Sequence, residues 1–169
     1  MDQGLAAIYG AMVGAVATGA TALITARSTF GVQKHQARRE AYHAFLLALR
    51  ELYDPAQRCL RVAIDRAEGI PTSVTPEELT DLSREVVLLI QSMRRTHVAV
   101  ELEGTGAVTE MARTAADAAH DHALTAVSLV ASFDIGRHIT PAEKANAEAA
   151  FRRTVVATNS FAQAARSQL

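Results

Sequence analysis

Tryptophan is absent from this 169-residue chain, aromatic residues make up only 5% of it, and there is a single cysteine, Cys59. One cysteine excludes an internal disulfide and suits a reducing compartment. A small apolar side chain in that position is expected to be buried rather than reactive. Charge of one sign is also missing, since the formal net charge is -1. No global field therefore attracts nucleic acid, and the few aromatics fall within apolar stripes instead of forming a stacking platform. Nucleic acid is not an expected partner. No segment alternates apolar and polar residues with period two, so no sheet is expected. Gly104-x-Gly106 lacks both a preceding strand and a further glycine, so it is no phosphate loop. No Ser/His/Asp or Cys/His set can be assembled from the pattern. Neither an enzyme nor a cofactor is expected.

What the chain does have is a beginning without charge. From Gly4 to Ala26 there are 23 residues with no ionisable group other than Tyr9, closed by Arg27. A helix needs roughly 20 apolar residues to cross a bilayer, and Leu5, Ile8, Met12, Val13, Val16, Leu23 and Ile24 supply the bulk. The glycines and threonines weaken insertion. A cleavable signal peptide is the competing reading, with Ala20 and Ala22 as an A-x-A site, but signal peptides carry basic residues before the apolar core. Here only Met1, Asp2 and Gln3 precede it. Arg27, Lys34, Arg38 and Arg39 all follow the span, which orients it with the N-terminus outside and the remainder in the cytoplasm. These four side chains are the expected contacts with anionic headgroups. Gly10, Gly14, Thr18 and Ala22 continue a small-residue stripe of the kind that packs membrane helices. Self-association through this stripe, docking on another membrane helix, and plain small-residue filler all remain open.

Four prolines and a few glycines punctuate the rest. Thr75-Pro76-Glu77-Glu78 and Thr140-Pro141-Ala142-Glu143 each read as N-cap, N1 proline and N3 glutamate, the capping-box signature of a helix start. Gly104-Thr105-Gly106 supplies a stop and a start between them. Helices are therefore expected from about Ser28 to Glu68, Pro76 to Glu103, Gly106 to Phe133 and Pro141 to Ser167, with ends uncertain by about 2–4 residues. Pro55 predicts a kink or break near Asp54. Each segment has a helical stripe. Tyr42, Phe45, Leu49, Leu52, Ala56 and Leu60 lead the first; Leu79, Leu82, Val86, Ile90 and Met93 the second. Val108, Met111, Ala112, Ala115, Ala119, Ala126 and Leu129 mark the third; Ala147, Ala150, Phe151, Val155, Thr158 and Phe161 mark the fourth.

The expected fold class is all-α. Residues 1–27 form a transmembrane anchor and 28–40 a basic juxtamembrane stalk. Residues 41–169 form an antiparallel up-down four-helix bundle about 42 Å long, whose first helix is extended as the stalk.

Several polar groupings are candidates for chemistry. Glu40-x-x-His43 and Asp117-x-x-His120 have the spacing of a carboxylate-bridged metal bundle, but Glu40 and His43 project away from the core face, and no metal site is expected. His97 and Glu101 continue the second helix's apolar stripe at i, i+4. A hydrogen bond between them would raise the histidine pKa. His122 falls on an alanine-lined face, either as a ligand contact or as a bonded core histidine. Leu88, Leu102 and Leu124 lie off the core stripes and are expected to be exposed.

The span, Arg27, and Arg38-Arg39-Glu40-Ala41-Tyr42-His43-Ala44-Phe45-Leu46 together resemble a loose class of small single-pass membrane proteins of actinobacteria. The resemblance covers residues 4–50. It implies an anchor and a topology and carries no activity. The expected function is a membrane-tethered, non-enzymatic interaction or scaffolding module. Its expected partners are membrane lipid and an unidentified protein, or a second copy through the membrane helix. The alternative is a small-ligand or metal sensor using the bundle interior, built on His97, Glu101 and His122.

Overall fold

In the computed structural model, residues 3–134 and 137–168 are described, with side chains described for 32–132 and 137–168. Four helices follow one another: α1 Gln3–Ala67, α2 Pro76–Glu103, α3 Gly106–Asp134 and α4 Pro141–Ser167. No strand occurs among the described residues. The chain divides into two compact units, Met1–Ala37 and Arg38–Leu169. In the first, Lys34 is exposed and so is Val32. The anchor positions Gly10, Gly14, Thr18, Ala22 and Arg27, and with them the proposed span, lie outside the residues whose side chains are described. Among the described residues, no helix is long and apolar enough to cross a membrane.

Within the second unit, direction can be read from paired contacts. The Tyr42 ring meets Phe161 edge-on at 6.0 Å, and Tyr53 meets Phe151 at 5.2 Å. The α1 residue numbers rise as those of α4 fall, so the two helices are antiparallel. Glu68 and Lys144 close that pairing at the other end with an ion pair. Phe45 lies 5.5 Å from His97, and Arg38 reaches the end of α2. Arg94 of α2 meets His120 of α3, and Thr154 of α4 meets Ala118 of α3. The four helices share one core.

The ends are set by local chemistry. At the start of α2, the Thr75 amide donates to Glu78 Oε2 at 2.7 Å, and the Glu78 amide donates to Thr75 Oγ1 at 3.2 Å. These bonds from Thr75 hold the Glu78 carboxyl below its ordinary pKa, because hydrogen bonding favours the charged form. Thr140 and Glu143 repeat the arrangement at 2.8 and 3.2 Å. Past the end of α1, Gly69 takes φ 73°. Its amide donates to the Arg66 carbonyl, and the Ile70 amide donates to that of Asp65. This is a Schellman closure, which needs the left-handed conformation that glycine adopts freely.

One expectation is corrected in part here. α1 is continuous through Pro55, so the break that was one of the two outcomes expected near Asp54 does not occur. Leu52, Ala56 and Cys59 around it are buried, and this packing holds the helix, while the Glu51 carbonyl that loses its donor belongs to an exposed residue that water can reach. Gly104 ends α2 as expected, with extended backbone at φ -74° and ψ 168°. It is glycine for want of space: a Cβ there would lie 2.5 Å from the Val100 carbonyl oxygen and 2.7 Å from Thr109 Oγ1.

Bulk is unevenly shared in the core. α1 contributes Tyr42, Phe45, Leu49 and Leu52, whereas α3 buries Ala112, Ala115, Ala116, Ala119, Ala123 and Ala126. Small side chains let α3 and α4 approach closely. Thr154 Oγ1 shows this directly, donating across to the Ala118 carbonyl at 2.8 Å as well as to the Ala150 carbonyl of its own helix at 3.0 Å.

Candidate functional site

The histidines singled out by the sequence reach different surroundings. His122 is 1% exposed. Its ring meets Phe151 edge-on at 5.5 Å, and neither nitrogen has a hydrogen-bond partner among the described residues. Burial alone pushes its pKa down to about 4, since a low-dielectric surrounding disfavours the imidazolium. His97 lies against Phe45. Its Nε2 is 3.9 Å from Glu101 Oε1, too long for the expected hydrogen bond, and that nitrogen is unpartnered among the described residues. His97 and His122 thus face separate aromatic neighbours, one on α1 and one on α4. Tyr42 Oη and Thr105 Oγ1 are two further buried oxygens without a partner among the described residues. Tyr42 Oη lies 3.6 Å from the position a Gly104 Cβ would take. No sequence signal marks either oxygen.

The metal-type spacings do not converge. Glu40 and His43 are exposed. Arg94 donates to His120 Nε2 at 3.0 Å, which leaves the proton on Nδ1, and burial together with the Arg94 charge lowers the His120 pKa. No group of three or more His, Cys, Asp or Glu among the described residues is placed to hold a metal ion. Cys59 is buried; desolvation, aided by Glu85, raises its thiol pKa to about 11, so it is a poor nucleophile. Of the basic residues assigned to the membrane surface, Lys34 and Arg39 are exposed and Arg38 is half-buried. Arg38 Nε donates to the Glu103 carbonyl at 2.7 Å.

Two apolar surfaces remain. On α2, Leu88 and Leu102 are 65% and 78% exposed and Val98 is half exposed. At 100° per residue these three fall on one stripe, opposite the buried Val86, Ile90, Met93 and Val100. Leu124 on α3 is also exposed. Between α3 and α4 runs a groove of about 480 Å³, lined by Met111, Thr114 and Ala118 of α3 and by Val156, Ala157 and Ser160 of α4. Arg152 and Arg153 line it as well.

This groove was not anticipated from the sequence. Met111 was expected in the core and is 39% exposed, and the buried stripe of α4 passes through Thr154 and Ala157 rather than Val155 and Thr158. In alanine-rich helices the apolar arc is so wide that its centre cannot be placed to within one residue. The available signal was Val156 beside two arginines, an apolar residue on a charged face. No known protein family, curated protein or solved structure matches this chain.

Proposed function

We propose that this protein is a membrane-tethered, non-enzymatic interaction module. Residues 4–26 anchor it, the N-terminus lies outside, and the helical unit presents a binding surface on the cytoplasmic side. The observation that carries the reading is the α2 stripe. Leu88, Val98 and Leu102 remain exposed on the face opposite the core, although that core is already filled from four helices. Exposed apolar residues on one face of a helix are candidate contacts, and Val98 and Leu102 have the i, i+4 spacing by which an amphipathic helix recognises its partner. The uncharged run from Gly4 to Ala26, closed by Arg27, supports the anchor.

A photo-crosslinking residue at position 102, in the full chain and in native membranes, tests the reading, with position 163 on α4 as control. One defined protein adduct from position 102 and none from 163 supports it. Equal labelling from both positions, or none from 102, removes it. Extraction at alkaline pH tests the anchor separately, since release from the membrane would contradict a spanning helix.

The alternative, a ligand sensor in the bundle interior, draws on one observation, the buried His122, whose nitrogens have no partner among the described residues. It predicts that a variant lacking this imidazole loses ligand-dependent stabilisation.

A further inference from the structure

We infer that the α3–α4 groove binds a single-chain amphiphile with an anionic head, its apolar chain lying between Met111 and Val156 and its carboxylate or phosphate-type head held by Arg153 and Arg152. This is a surface distinct from the α2 stripe, and the inference does not depend on what that stripe binds.

The size of the groove points to a small molecule rather than a protein. Along α4 it extends from Arg152 to Ser160, about 12 Å at 1.5 Å per residue. A stable protein interface needs roughly 20–30 residues on each side, far more than line this valley. Its volume of about 480 Å³ instead falls within the range of small-molecule sites, roughly 300–1,000 Å³, which combine apolar walls with a few placed polar groups.

Charge gives the class of head group. Arg153 is exposed and has no ion-pair partner among the described residues. Arg152 has only Glu148, at 4.0 Å between largely exposed side chains, a contact of little strength. Two guanidinium groups that line the groove are thus available to an oxyanion, which arginine engages through paired N–H donors. The antiparallel packing of Ala118 against Thr154 places the arginines beside Ala118 and leaves Met111 toward Ser160, so the charged and apolar parts of the groove are separated along its length. A straight-chain amphiphile has that same separation. Met111 is flexible and polarizable enough to follow such a chain, and the exposed Val156 loses water when the chain covers it.

The test uses decanoate carrying a terminal diazirine, added to the full chain in phosphatidylcholine nanodiscs, with adducts mapped by mass spectrometry. Adducts are expected within residues 111–118 and 152–160. Excess decanoate should compete, and decanol or decyltrimethylammonium should not. Arg153→Gln should reduce labelling about five- to tenfold, as loss of a charge-assisted contact implies, and Val156→Asp should abolish it. Both positions are exposed on α4, so neither change threatens the fold. Labelling elsewhere, or equal competition by decanol, overturns the inference. Competition by phosphatidylglycerol vesicles as effective as that by decanoate would assign the arginines to a lipid surface and would also overturn it.

Discussion

Arg38 Nε donates a 2.7 Å hydrogen bond to the main-chain carbonyl of Glu103, joining positions 65 residues apart. The last turn of α2 contains no basic residue of its own. Its free carbonyls carry the negative end of the helix dipole, and a guanidinium from α1 supplies the missing charge. Arg38 is also the first residue of the second compact unit, three positions before the bundle was expected to begin. Replacing it with alanine should cost about 1–2 kcal/mol and speed amide exchange in Val100–Glu103. Lysine should recover only part of the loss, because a point charge lacks the fork geometry. Unchanged exchange in that turn would show that the contact contributes nothing.

Gly104→Ala should be more damaging than an ordinary substitution at a helix end. The added methyl would meet the Val100 carbonyl and Thr109 Oγ1 inside contact distance, and one of these is backbone. Overpacking of this kind costs about 1–3 kcal/mol. Gly106→Ala is the matched control, because nothing lies within 4 Å of its added Cβ. Denaturant midpoints of the two variants should differ clearly, with only the first lowered.

The sign of the pH dependence follows from His122. Its pKa falls from an ordinary 6.5 to about 4 on folding, so between these values the unfolded chain binds more protons than the folded one. Stability is therefore complete above about 6.5, decreases as the pH is lowered through this window, and levels off below about 4. The full effect is roughly 3 kcal/mol, at 1.36 kcal/mol per unit. His122→Leu should flatten this acid limb. At pH 7 it should be neutral or stabilising, since it removes two buried nitrogens that lack partners among the described residues. An acid limb unchanged in the leucine variant would transfer the effect to other groups.

Thr154 separates hydrogen bonding from packing. Its hydroxyl bridges α4 to the Ala118 carbonyl, yet the side chain also fills space in a layer of alanines. Thr154→Val keeps the shape and should cost no more than about 1 kcal/mol. Thr154→Ala also opens a void, and should cost more than the valine variant by the loss of two buried methyl groups, about 1.6 kcal/mol or above. If the two variants unfold at the same denaturant concentration, close packing of α3 on α4 is not what the threonine maintains.

Much of the architecture was legible because it is governed by nearest neighbours in the chain. Thr75 with Glu78 and Thr140 with Glu143 satisfy helix-end amides wherever they occur, and proline at N1 sacrifices nothing there. The stripe of Tyr42, Phe45, Leu49 and Leu52 could be read because large apolar residues on one face must be buried together, and all four are. Three decisions belonged to the tertiary structure. The alanine-rich faces of α3 and α4 leave rotation about the helix axis undetermined by sequence, so packing alone exposed Met111 and Val156 and opened a groove beside Arg152 and Arg153. Gly104 is held to glycine in part by Thr109 Oγ1, which comes within 2.7 Å of an added Cβ only once α2 has given way to α3. Arg38, one basic residue among several in the sequence, becomes the cap of α2 only because antiparallel packing brings position 103 to it. Local hydrogen bonding and hydrophobic period are written in the chain, whereas contacts between residues far apart in sequence exist only once the helices have chosen their faces.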